Sequence, residues 1–235
     1  MWKTPMTTMR RTERPVGRWS GPQRDDEDLQ GFFAELAEDV EVPDVLDEEP
    51  DPPPWVAPPE DEVGGLLSVR RMVARSDNAA VVLDRVEVHP VGCAFVLRLS
   101  VRRPPGLDAA QWWEMHDRLF GSRPFGSDGT GGDGPHFGVR YADGGRLLAS
   151  HAYTHGDPGS PPPGPVLAII EDGASGGGRR VTMDRWLWLW PLPPPEPLDL
   201  IVAWPAFGID VTRVALDDAE LVAVASHSED LWPTS

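Results

Sequence analysis

Arg185-Trp-Leu-Trp-Leu-Trp-Pro-Leu-Pro-Pro-Pro-Glu-Pro-Leu-Asp-Leu-Ile-Val-Ala-Trp-Pro205 alternates with a period of two on either side of a proline-stiffened link. Trp186, Trp188 and Trp190 share one face of an extended strand, and Leu187 and Leu189 share the other. Beyond the link, Leu198, Leu200, Val202 and Trp204 fall together on one face. Three tryptophans on one strand face offer roughly 450–750 Å² of aromatic surface. The largest apolar patch on a typical monomer is roughly 300–600 Å². Such a face must be covered by a second sheet, a helix or another chain. The stretch reads as the wall of a packed β-sandwich and carries no catalytic motif.

Working outward, strand signals recur at sandwich-like spacing. Leu66–Ala74, Ala80–Val88 and Ala94–Val101 precede the stretch, and in the last of these Phe95, Leu97, Leu99 and Val101 point inward. His89-Pro-Val-Gly92 supplies a tight turn. Phe137–Tyr141 and Arg146–Ser150 form a hairpin about Ala142-Asp-Gly-Gly145, Val166–Glu171 is a further strand, and Asp172–Gly178 turns the chain. Ile209–Leu216 is extended, and Asp218–Leu231 reads as a C-terminal helix ended by Trp232-Pro233. Asp108 and Gln111 form a capping-box variant opening a short helix through Trp112, Trp113, Met115 and Leu119, which Gly121 stops. Pro191–Pro195 is a stiff crossover between strands, although such segments also serve as ligands of SH3-type domains. The expectation is one all-β domain over residues 63–235. It is an antiparallel β-sandwich, immunoglobulin-like or related, with one or two short decorating helices and a C-terminal helix.

Charge separates this domain from what precedes it. Residues 1–24 carry six basic side chains against one acid, and residues 25–62 carry sixteen acids with no Lys or Arg. Of the net −17 for 235 residues, only an excess of six acids belongs to 63–235. The basic stretch has neither apolar periodicity nor a dense basic run and reads as a disordered leader. Within 25–40, Leu29, Phe32, Phe33, Leu36 and Val40 keep the i, i+3, i+4, i+7 spacing of an amphipathic helix. Residues 41–62 are Pro- and acid-rich and read as an extended linker. A helix of that length is marginal alone, so it docks on its own domain, lies in a partner's groove, or is a leader without function. Leu29, Phe32, Phe33 and Leu36 are the candidate partner-binding residues.

Chemistry is sparse. His151 and His155 lie four apart, a metal-binding spacing on a helix, but roughly 13 Å apart in an extended strand. With His136 they form the weak alternative of a metal-dependent hydrolase. Asp128 and Asp133 lack the ligand pattern of a calcium loop, and the same loop lacks the order of a phosphate cradle. Cys93, the lone cysteine, excludes an internal disulfide. It reads as a small buried hydrophobe rather than as the nucleophile of a pair with His89. No Gly-x-Ser-x-Gly elbow occurs. An acidic domain without a basic stripe repels nucleic acid, and no apolar run of about 18 residues would span a membrane.

Trp188-Leu-Trp-Pro-Leu-Pro-Pro-Pro195, Leu198–Ile209, Leu231-Trp-Pro233 and Val139–Gly144 together resemble a family of uncharacterised proteins from high-GC Gram-positive bacteria. The resemblance covers about residues 63–233. It implies a shared fold and brings no activity, cofactor or site. The resulting expectation is a non-enzymatic cytoplasmic protein-binding or adaptor module with no cofactor, no nucleic-acid partner and no membrane contact. It works through the acidic helix, the sandwich surface or both. A structural subunit of a larger assembly is the remaining alternative, and the oligomeric state stays open.

Overall fold

The computed structural model describes residues 51–120, 134–151, 160–216 and 218–232. The basic leader and the acidic segment up to residue 50 lie outside the described residues. Strands β1 (Glu62–Val63), β2 (Gly65–Arg75), β3 (Ala79–His89) and β4 (Gly92–Arg102) come first, followed by helix α1 (Ala109–Phe120). Then come β5 (His136–Tyr141), β6 (Arg146–Leu148), β7 (Ser150–His151), β8 (Val166–Gly176), β9 (Arg180–Trp190) and β10 (Leu198–Trp204). A short 3₁₀ turn (Pro205–Phe207), β11 (Ile209–Leu216), α2 (Asp218–Ala225) and β12 (Glu229–Asp230) close the chain. The fold is an all-β sandwich of two sheets, a six-stranded one in the order β2-β3-β4-β9-β8-β7 and a four-stranded one in the order β11-β10-β5-β6. All pairings are antiparallel except β7 with β8.

The inward faces follow the alternation. Phe95, Leu97, Leu99 and Val101 of β4 meet Leu198, Leu200, Val202 and Trp204 of β10 in one core, with Phe137 and Val139 of β5. The tryptophans of β9 do not join them, contrary to the expectation of an aromatic inter-sheet wall. Leu187 and Leu189 face the core, while Trp186, Trp188 and Trp190 lie on the outer face of the six-stranded sheet. Register gives the reason: Leu187 pairs with Phe95 and Leu189 with Cys93, both core residues. Trp188 instead lies between Ala94 and Ala168, whose small side chains leave room for an indole. That indole also lies on Gly92, where an added Cβ would come within 2.6 Å of its ring. The inward face of β9 carries one buried cation, Arg185, with its guanidinium 5.9 Å from the Phe137 ring.

Three further boundaries differ from the sequence reading. Strand β8 runs to Gly176 instead of stopping at Glu171, and the turn narrows to Gly177–Arg179. Helix α2 ends at Ala225, where Ser226 Oγ donates to the Ala223 carbonyl (2.7 Å), and β12 follows. Leu221 of α2 is buried against the core, beside strand β2, and Val224 packs where a Cβ on Gly65 would stand. The helix thereby shields the β2 edge of the larger sheet. The third concerns the linker. Its last residues are laid on the sheet: Val56 turns back on Pro53 (N–H to carbonyl, 2.8 Å), and Glu62–Val63 pairs with Glu229–Asp230.

Candidate functional site

The outer face of the six-stranded sheet divides into two halves of different chemistry. On one half, residues 53–63 form a strap across the tryptophans. Trp188 Nε1–H donates to the Pro54 carbonyl at 2.8 Å, and Trp55 meets Trp190 edge to face at 5.9 Å between centroids. Val56 packs with Ala94, Ala168 and Trp188. An indole N–H on a proline carbonyl, flanked by aromatic rings, is the manner in which aromatic grooves hold proline-rich segments. Downstream, the strap is pinned by His89, which is buried and lies edge-on to Trp188. Its Nδ1–H donates to Glu62 Oε1 at 2.9 Å. The ring sits so close to Gly64 that a Cβ there would stand 2.6 Å from Nε2. Glycine at this position lets the chain pass against the buried His89 ring. A concavity of about 370 Å³ opens beside the strap, bordered by Pro58, Glu62, Arg85, Glu87 and His89.

On the other half the described residues leave the sheet open. The register aligns Arg75, Ala80, Ser100, Thr182 and Ser175 across five strands. At about 4.8 Å per strand that row is about 19 Å wide. The next outward-facing pair is Arg102 directly opposite Arg180. Arg75, Ala80, Ser100, Arg102 and Arg180 frame a trough of about 610 Å³ together with Asp77 and Asn78, and a second depression of about 420 Å³, bordered by Ser175 and Thr182, shares Arg180. Asn78, in the β2–β3 turn that borders the trough, has a buried Oδ1 without a hydrogen-bond partner among the described residues. Elsewhere on this face the cations are matched: Arg85 with Glu87 (2.7 Å), Arg98 with Asp184 (3.2 Å) and Arg70 with Asp84 (3.7 Å). Arg75, Arg102 and Arg180 have no ion-pair partner among the described residues.

Sequence-derived candidates fall away from this face or outside the described residues. Leu29, Phe32, Phe33 and Leu36 lie outside them, as does His155. His136 opens β5 in the four-stranded sheet and is exposed, whereas His151 belongs to β7 of the six-stranded sheet. Among the described residues, no three His, Cys, Asp or Glu side chains gather closely enough to hold a metal ion. Cys93 lies in the core between the sheets while His89 lies on the outer face, so the two do not form a nucleophile–base pair. Burial raises the Cys93 thiol to about 12. No helix among the described residues is long and apolar enough to cross a membrane.

Neither the strap nor the trough was visible in the sequence. The strap shares the Pro/acid composition of a linker, with Trp55-Val56 as the one apolar signal. The trough draws on arginines of three separate strands that only pairing brings together. The chain matches no protein-family description, no curated protein and no solved structure.

Proposed function

We infer that this chain is a non-enzymatic protein-binding module of the cytoplasm, in which the sandwich anchors the acidic segment and that segment engages a partner. The observation that carries the reading is the strap. Pro54, Trp55 and Val56 are clamped to the outer tryptophans directly after the acidic run. The clamp makes the run an arm tied to a folded body. On that arm, Leu29, Phe32, Phe33 and Leu36 keep the spacing of anchors that lie in a partner's apolar groove. The flanking carboxylates favour a groove with a basic rim. The lone cysteine is in keeping with a reducing compartment.

The test is capture from host lysate by the full-length chain and by its Phe32→Ala/Phe33→Ala variant. Two aromatic anchors at the centre of an interface are worth at least about 2 kcal/mol, so affinity falls roughly 30-fold or more. Thermal unfolding of the variant stays at the parent temperature. Undiminished capture would move the site onto the sandwich, and a lowered unfolding temperature would assign the segment to the core instead.

A further inference from the structure

We propose that the arginine trough at the open end of the six-stranded sheet is a binding site for a small phosphate-bearing ligand. The strongest argument is the pairing of Arg102 with Arg180. Directly opposite positions on adjacent antiparallel strands hold their Cβ atoms about 4.5–5.5 Å apart, and like charges there destabilise the sheet. The same face shows the usual remedy three times over, in the carboxylates given to Arg70, Arg85 and Arg98. Arg102 and Arg180 receive none from the described residues, in a chain that carries 38 acids. A bound anion between the two guanidinium groups supplies the missing counter-charge.

The surroundings fit a phosphate better than a lone carboxylate. Arg75 approaches from β2, so that three planar, bidentate donors border one trough. Ser100 lines the trough two residues along β4 from Arg102, and its cross-strand neighbour Thr182 lines the adjoining depression. Small side chains there, with Ala80 next in the row, leave the floor flat and open to a ligand. A trough of about 610 Å³ is within the ordinary range for small-molecule sites, about 300–1,000 Å³. Asp77 on the rim opposes an anion and sets a limit on affinity. The site shares no residue with the strap.

The experiment is calorimetric titration of the full-length chain with inorganic tripolyphosphate at low ionic strength, where such contacts are least screened. Saturable binding of one anion per chain is expected, weakened about tenfold or more for each arginine removed in Arg102→Gln and Arg180→Gln. Asp77→Asn should tighten binding. Arg213→Gln, whose parent side chain pairs with Asp199 on the other sheet (3.6 Å), should leave it unchanged. All four positions lie on the surface, and circular dichroism of each variant verifies that it is folded. Absence of saturable heat, equal binding by the Arg102 and Arg180 variants, or equal weakening by Arg213→Gln would overturn the proposal. Poly-glutamate binding as tightly as tripolyphosphate would also overturn it, by making the occupant an acidic polypeptide.

Discussion

Burial among Phe95, Leu189 and their neighbours moves the Cys93 thiol from an ordinary 9.0 to about 12, because a thiolate there would be stripped of water. An unfolded chain releases this proton from about pH 9, whereas the folded chain keeps it until about 12. The folded state therefore binds more protons across that window. Its stability is complete below about pH 9 and declines as pH rises toward 12. Tyr141, raised to about 12 by burial and then by Cys93 and Asp143, acts in the same direction. The fall in urea midpoint between about pH 8 and pH 10.5 is accordingly smaller in Cys93→Ala than in the parent. The parent thiol should also resist alkylation at about pH 8 until urea unfolds the chain. The inward course of Phe95, Leu97, Leu99 and Val101 was legible, since polar residues alternate with them. On β9 alternation could not choose between faces, because Trp and Leu are both apolar. The decision lay with Ala94, Ala168 and Gly92 on neighbouring strands.

Elements whose ends carry their own chemistry were legible in the sequence. Asp108 and Gln111 exchange backbone-to-side-chain hydrogen bonds of 3.0 and 2.9 Å, and α1 begins between them. Trp112 then fixes the helix to the β8–β9 turn through Nε1–H to the Gly177 carbonyl (3.1 Å). Asp108→Ala removes the cap and should destabilise the fold by about 0.5–2 kcal/mol, read from urea unfolding at an unchanged m-value. A loss below a few tenths of a kcal/mol would show that Trp112 alone holds the helix. Strands β10 and β11 occupy the expected residues, because prolines and a positive-φ glycine, Gly208, punctuate them. The end of α2 was hidden, since no proline or glycine separates Ala225 from Leu231. There the stop comes from pairing of Glu229–Asp230 with the strap, a contact 166 residues apart along the chain for Val63 and Glu229.

For the whole molecule, the strap decides how much apolar surface meets water. Removing it uncovers Trp188 beside the half-buried Trp186 and Trp190, an apolar patch of at most the roughly 450–750 Å² of three whole indoles. That approaches the roughly 800 Å² each partner contributes to a stable protein interface. A chain beginning at Val63 should therefore self-associate, its light-scattering mass rising with concentration while the full-length chain shows no such rise through this face. A truncated chain that stays monodisperse would mean the tryptophans are not sealed by the strap. The candidate surfaces were the least legible part. Sequence grouped charges by position along the chain and found a basic leader and an acidic arm. Pairing groups them by strand register instead, and gathers Arg75, Arg102 and Arg180 at one end of a sheet within an acidic protein.

The Trp55–Trp190 contact, with centroids 5.9 Å apart and planes inclined at 65°, also gives the strap an optical identity. Two indoles held that close and that far from coplanar couple their electronic transitions. They therefore absorb left and right circularly polarised light as one chiral chromophore. One member rides on the strap and the other on the sheet, so their exciton couplet exists only while the two are joined. The chain thus carries an intrinsic signal for the state of its N-terminal anchor, separate from the backbone signal of the strands beneath it.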